Sequence, residues 1–140
     1  MEFKRFGNKV VMRIDRGEEV VETIKEFCTD QKITLGSISG LGAADRIKVG
    51  AFNVEEKKYH SIEFSGSDYE ITNLTGNIST MDGETYLHLH ITLSDHDMRA
   101  FGGHLNEAVI SGTCELVIDV VDGVVDRKFN DEVGLNLYKF

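Results

Sequence analysis

Two histidines stand two residues apart in the segment Leu87–Ile91, at a spacing suited to holding a metal ion. In a β-strand, side chains at i and i+2 point to the same face, about 6.6 Å apart along the strand. His88 and His90 are therefore close enough to share one ion. His104 offers a third imidazole, and two glycines before it give the backbone freedom to turn the ring inward. The pattern predicts a three-histidine metal site.

The HxH motif is short, and strand histidines on a polar face are often solvated and have no ligand role. The two remaining histidines are expected to play no part in the site. His60 falls in a charged strand that we expect to be exposed, and His96 falls in a turn between Asp95 and Asp97. No nucleophile elbow, phosphate-binding loop, dinucleotide fingerprint or HExxH motif is present.

A single helix is predicted over residues 17 to 31, before most of the strands. Asp15 is the expected N-cap, and Glu18, three residues later, completes a capping-box spacing. One apolar stripe follows at helical spacing, formed by Val20, Val21, Ile24, Phe27 and Cys28.

In most of the remaining chain, apolar residues alternate with polar or small ones, a pattern that is typical of strands. On the histidine strand, Leu87, Leu89, Ile91 and Leu93 form the side that faces the core. Strands are predicted over residues 4–15, 33–43, 46–52, 59–64, 69–79, 85–93 and 114–121, and residues 106–110 are read as a short helix or a bend. One helix among about eight strands joined by turns indicates an α+β fold with an antiparallel sheet.

The size of the chain predicts one domain, residues 1–140, with a core that folds without a metal or disulfide. Fifteen Lys and Arg against 24 Asp and Glu give a net charge of −9, which disfavours binding to the nucleic-acid polyanion. The basic pairs are limited to Lys4-Arg5, Lys57-Lys58 and Arg127-Lys128.

The location predicted from the sequence is the cytoplasm. The sequence contains no apolar window of 18 residues, so no membrane-spanning helix is predicted. The N-terminus lacks the apolar run of a signal peptide. Cys28 and Cys114 are isolated, which is typical of buried thiols in a reducing compartment.

Four segments, in this order, resemble the plants-and-prokaryotes-conserved (PPC) domain in its stand-alone prokaryotic form. They are Ser39–Ala43 (SGLGA), Tyr69–Ser79 (YEITNLTGNIS), Tyr86–Asp95 (YLHLHITLSD) and Gly102–Leu105 (GGHL). The ordered pair YLHLHxxLSD and GGHL is the most specific part, and the resemblance covers essentially the whole chain.

The resemblance implies an α+β fold, a mostly antiparallel sheet with one main N-terminal helix and short flanking helices. It implies a homotrimer, and it places the family's proposed metal-binding histidines at His88, His90 and His104. In plants the domain follows an AT-hook that binds the DNA minor groove, and stand-alone prokaryotic members bear a DNA-binding label for that reason.

The sequence departs from the plant pattern in two places. It has no proline and therefore no Arg-Gly-Arg-Pro AT-hook. The plant partner-binding motif Gly-Arg-Phe-Glu-Ile-Leu corresponds here to residues 67–72, where Asp68 replaces the arginine. The partner-binding candidates are Asp68, Tyr69, Glu70 and Ile71.

Three functions follow as hypotheses. The first is a homotrimeric module that binds a divalent metal and has a regulatory role with a small-molecule or protein partner. Zinc is the expected metal because all three ligands are imidazoles. The second is a cupin-like metal-dependent hydrolase, because Gly83, His88, His90, Asp95 and His104 imitate the cupin order and Glu84, Asp95 or Tyr86 could transfer protons. The third, DNA binding by the domain alone, is opposed by the charge, and no membrane partner is expected.

Overall fold

One helix and eight strands make up the fold. The computed structural model describes residues 1–140. The elements in chain order are β1 (Glu2–Phe6), β2 (Lys9–Asp15), α1 (Val20–Asp30), β3 (Gly36–Asn53), β4 (Lys58–Met81), β5 (Glu84–Ser94), β6 (Ala100–Val120), β7 (Asp126–Asn130) and β8 (Leu135–Lys139).

The strands form one sheet that closes on itself in its middle. The order is β1-β2-β6-β3-β4-β7-β8, and β5 pairs with both β4 and β6. Since β3 also pairs with β4 and β6, the strands β3 to β6 form a closed ring. Every pairing is antiparallel except one parallel bridge between Thr80 and Asp126. The α+β class and the antiparallel sheet are confirmed.

The prediction of short flanking helices is wrong, because α1 is the only helix. Residues 106–110, read as a short helix or bend, belong to β6, and the predicted strands 59–64 and 69–79 are parts of the single strand β4. The pairing register shifts near Gly40 and Ala44 in β3. A β-bulge changes the phase of inside–outside alternation, so one long bent strand resembles several short ones in sequence.

The helix is shorter than predicted and has a different cap. It runs from Val20 to Asp30, and the Glu19 carboxylate accepts hydrogen bonds from two first-turn N–H groups at 3.1 and 2.6 Å. Asp15 is therefore not the N-cap. Its own backbone N–H donates to Glu18 at 2.7 Å, in the turn that leads into the helix. The predicted apolar stripe is the face of α1 that is buried.

Glu19 also fastens the helix to the sheet. The same carboxylate accepts a hydrogen bond of 2.8 Å from the backbone N–H of Ala108 in β6. This bond satisfies an N–H at the point where Glu19 bridges to Val109. One side chain thus caps α1 and sets its position on the core.

The core is one cluster of 24 buried residues between α1 and the sheet. In β5, Leu89, Ile91 and Leu93 are at most 2% exposed, whereas the histidines alternate with them on the opposite face. The core therefore contains none of the three histidines. No helix of the protein is long and apolar enough to cross a bilayer.

We predict that Glu19→Ala lowers the free energy of unfolding by about 2 kcal/mol, because it removes the cap and leaves the Ala108 N–H unsatisfied. Chemical denaturation measures this change. Glu22→Ala, at an exposed position in the first turn, is the matched control and should change stability by less than about 0.5 kcal/mol. Equal effects of the two substitutions would contradict the assigned role of Glu19.

Candidate metal centre

The register of β5 against its two neighbours determines where the histidines lie. His90 is directly opposite His104 in β6, and His88 is opposite Asn77 in β4. His104 in turn lies opposite Gly50 in β3. The ring of four strands thus brings a histidine 14 residues away in sequence beside the HxH pair.

The three predicted histidines form one cluster. Their ring centroids are 5.2 Å apart for His88–His90 and for His88–His104, and 5.6 Å apart for His90–His104. Their ligand atoms all lie within 4.8 Å of one another, and no carboxylate or thiol joins them. Nitrogens bound to one tetrahedral zinc ion lie roughly 3.4 Å apart, a spacing that small ring rotations can reach.

The surroundings lower the pKa of two of the imidazoles, His88 and His104. Burial lowers the pKa of His88, and the neighbouring His90 and the Arg127 guanidinium lower it further. Burial also lowers the pKa of His104, with additional repulsion from His88 and His90. Neutral imidazole is the form that ligates a metal. The donor set therefore fits Zn²⁺ and other divalent ions that imidazole suits.

A cavity of about 510 Å³ opens in front of the cluster. Part of its wall comes from the hairpin of β3 and β4, where Tyr59 lies directly over Gly50. A Cβ on Gly50 would stand 2.1 Å from the Tyr59 hydroxyl, so a larger residue at position 50 would displace this ring from its place. The hydroxyl donates to Asn106 at 2.6 Å, and the ring meets His104 edge-on at 6.2 Å.

The opposite wall comes from the hairpin of β7 and β8. It contributes Leu135 and Leu137, which together with Phe52 make part of the cavity apolar. It also contributes Arg127, which is only 6% exposed. No acidic side chain lines the cavity.

Arg127 is the residue of the site that sequence reasoning missed. In sequence it forms one of the basic pairs, beside Lys128, but the fold buries it. Its guanidinium donates to Ser79 Oγ at 2.7 Å, to Asn77 Oδ1 at 2.8 Å and to the Asn136 carbonyl at 2.9 Å. No local sequence signal marks it, since its place depends on how the last hairpin folds back.

Two tyrosines hold the guanidinium of Arg127 from either side. The Tyr86 ring lies 4.6 Å from it and the Tyr138 ring lies 4.3 Å from it. Cation–π contacts of this kind stabilise a partly desolvated cation and restrict its plane.

Glycines hold the histidine strand closely between its neighbours. A Cβ on Gly76 would come within 2.1 Å of the His88 carbonyl oxygen, and one on Gly102 within 2.0 Å of the Ile91 carbonyl oxygen. Neither Gly102 nor Gly103 has a positive φ. The two glycines before His104 therefore act by close approach to the neighbouring strands rather than by a left-handed turn, and His104 lies within strand β6.

The other polar candidates lie outside the cluster. His60 is exposed, as predicted, and His96 is exposed as well. Asp95 accepts hydrogen bonds from the backbone N–H groups of Asp97 and Arg99 and pairs with the Arg99 guanidinium. These bonds, with the backbone bond from Arg99 as the largest contribution, hold the pKa of Asp95 below its usual value. Asp95 stabilises its own turn and does not occupy the position of a cupin carboxylate.

Of the residues proposed for proton transfer, Tyr86 lines the cavity, and Glu84 is exposed at the start of β5. The partner-binding candidates divide in a similar way. Asp68 and Glu70 are exposed, while Tyr69 packs edge-on against neighbouring aromatic rings and Ile71 belongs to the core.

The fold and the histidine cluster define a known domain class. The family profile of the Plants and Prokaryotes Conserved domain matches residues 1–122, and the chain belongs to this family, named PPC above. Strands β7 and β8, and with them Arg127, follow the matched region. No curated protein sequence matches the chain significantly.

Solved structures share the fold over nearly the whole chain. A Bacteroides thetaiotaomicron protein described as a "putative DNA-binding protein" is 39% identical with a TM-score of 0.96, covering 99% of this chain and 96% of its own. A PPC protein from Pyrococcus horikoshii is 32% identical, with a TM-score of 0.86 and coverage of 99% and 94%. A metal-containing protein from Archaeoglobus fulgidus is 30% identical, with a TM-score of 0.86 and coverage of 99% and 97%.

We predict that Gly76→Ala destabilises the protein by about 3 kcal/mol, because the methyl group must displace the His88 backbone or separate β4 from β5. Thermal and chemical unfolding measure the loss. Gly112→Ala is the matched control, since its Cβ would meet nothing closer than 3.7 Å and should be tolerated. A stable Gly76→Ala protein with native histidine chemical shifts would disprove the close-packing argument.

Proposed function

We propose that this PPC-domain protein binds one divalent metal ion, zinc by preference, through His88, His90 and His104. The observation that supports this most directly is the convergence of three imidazoles within 4.8 Å at the wall of a cavity. The description of the Archaeoglobus fulgidus relative as metal-containing is consistent with it. Zinc suits an all-imidazole set with no carboxylate.

The proposed centre is open and therefore suited to binding a ligand. Structural zinc sites are closed by four protein ligands, whereas three protein ligands leave one position for water or a ligand. When bound, the metal supplies Lewis acidity and lowers the pKa of coordinated water. The protein supplies the remaining parts: the imidazoles hold the ion, Tyr59 and Phe52 shape the cavity, and the apolar wall limits water.

Two roles fit an open metal site in a cavity. We favour a ligand-binding module with a regulatory role, because no free carboxylate or additional histidine lies in the cavity to act as a general base. The second candidate is a metal-dependent hydrolase, favoured by the same open position, in which Tyr86 is the remaining cavity-lining candidate for proton transfer. Turnover of an ester or lactone that depends on the loaded metal would distinguish the hydrolase.

We do not extend DNA binding to this chain. Affinity for DNA needs cations that reach phosphates. The net charge is −9, and burial removes Arg127 from the surface, which disrupts one of the basic pairs. The buried free thiols of Cys28 and Cys114 fit the reducing cytoplasm that the sequence predicts.

We further propose a homotrimer, as the family resemblance implies. Val11 and Val117 face each other across β2 and β6 and remain 47% and 42% exposed, which leaves apolar surface for contact with another subunit. Light scattering should give three times 15.7 kDa, about 47 kDa. A mass of one chain at micromolar concentration would refute the trimer.

We predict that protein purified without chelator or nickel resin contains nearly one metal ion per chain by elemental analysis. His88→Ala or His104→Ala should remove most of it, whereas His60→Ala, at an exposed histidine outside the cluster, is the matched control and should retain it. The metal-free protein should stay folded, because the core lies on the other face of β5. Wild-type protein that contains no metal and takes up no added zinc would exclude the site.

A further inference from the structure

The strongest unexplained feature of the cavity is a buried cation with no anion. Arg127 is 6% exposed, and its three hydrogen-bond acceptors are a hydroxyl, a side-chain amide and a backbone carbonyl, all of them neutral. Its neighbour Asp126 instead accepts the hydroxyl hydrogen bond of Thr80. Buried charges in proteins are normally paired, because leaving water is costly for an ion.

A structural role for Arg127, joining the last hairpin to the sheet, explains only part of its hydrogen bonding. The bonds from Arg127 join β7 to β4 and β8, and the tyrosine rings hold it in place. A guanidinium has five N–H donors, and these three bonds use three of them. One donor therefore remains on each of the two terminal nitrogens. Paired donors on neighbouring nitrogens are the arrangement that holds a carboxylate at two points.

The charge of the cavity favours an anion as its ligand. A divalent ion on three neutral imidazoles adds two positive charges beside the one on Arg127, and no acidic side chain lines the cavity. In a space partly enclosed by protein these charges are screened less than in bulk water. The three histidines and Arg127 all line this space, so a small anion held between them would offset the excess charge.

The size and walls of the cavity favour an organic ligand. Its volume of about 510 Å³ exceeds the needs of an inorganic ion, and the side chains of Phe52, Leu135 and Leu137 offer apolar contact. Binding pockets for small molecules typically combine an apolar lining with a few placed polar groups. A short branched acyl chain would meet the leucines while its carboxylate meets Arg127.

We propose that Arg127 is the anion-binding residue of this pocket and that the ligand of the three-histidine centre is a small organic carboxylate. The assignment rests on the proposed function for the position of the ligand beside the metal. It adds the chemical class of the ligand and the residue that selects it. It also makes the last hairpin, which follows the family's matched region, the part of the chain that determines selectivity.

Isothermal titration of the zinc-loaded protein with isovalerate tests this assignment, with isovaleramide as the uncharged probe of the same shape and inorganic phosphate as the anion without an acyl chain. Isovalerate should bind more tightly than either. Arg127→Gln should weaken its binding about 10- to 100-fold, and Arg127→Lys less. Arg46→Gln is the matched control, since it removes the same charge from an exposed surface pair with Glu107.

A second measurement keeps the test decisive if Arg127→Gln does not fold. In wild-type protein labelled with ¹⁵N-arginine, isovalerate should shift the guanidinium resonances of one arginine, and that signal should be missing from Arg127→Lys. Equal affinity for acid and amide, or unmoved arginine resonances at saturation, would overturn the assignment.

Elemental analysis of the same samples separates this inference from the metal proposal. A protein that retains zinc but binds isovalerate equally well with and without Arg127 would refute the carboxylate assignment and leave the metal site in place. A protein without metal whose affinity for isovalerate still depends on Arg127 would refute the metal site and leave the carboxylate assignment in place.

Discussion

The close packing of strand β5 between β4 and β6 is the constraint on which the site depends. Glycines at positions 76 and 102 bring the neighbouring backbones against the carbonyls of His88 and Ile91, where no other residue fits. This contact fixes the register, and the register sets His90 opposite His104. A slip of one residue would turn the imidazoles into the core and the leucines into the cavity, because side chains alternate between faces along a strand.

Local patterns predicted the helix and the histidine strand, but not the last two strands, the lengths of the long strands or how the strands meet. Alternation along Leu87–Leu93 predicted which face would be buried, and the HxH spacing predicted that two imidazoles would share the other face. The helix stripe was equally informative, although the cap was not, because Glu19 is held partly by a β6 backbone group that lies far away in sequence. Bulged strands longer than 20 residues resembled several short ones, since each bulge shifts the phase of the pattern.

Arg127 shows where reasoning from a single sequence reaches its limit. In sequence it is one cation beside Lys128 in a chain of net negative charge. In the fold it lies between two aromatic rings and beside a histidine cluster, because strand β7 pairs next to β4. The two descriptions predict opposite behaviour: a surface cation contributes to nonspecific attraction, whereas a buried one determines what a cavity accepts.

The last hairpin is attached to the rest of the sheet more weakly than any other pair of strands. One parallel bridge and one backbone bond, from Thr80 to Val125, join it to its neighbours. Side-chain bonds that involve Arg127, Thr80, Lys57 and Asn136 make up the rest. Such a segment opens at a lower free energy than the closed ring beneath it. A molecule held between the ring and the hairpin would bind only when the hairpin is packed on the ring. Its binding would therefore stabilise the final fifteen residues against local unfolding. The stability of this hairpin would therefore depend on whether the cavity is occupied.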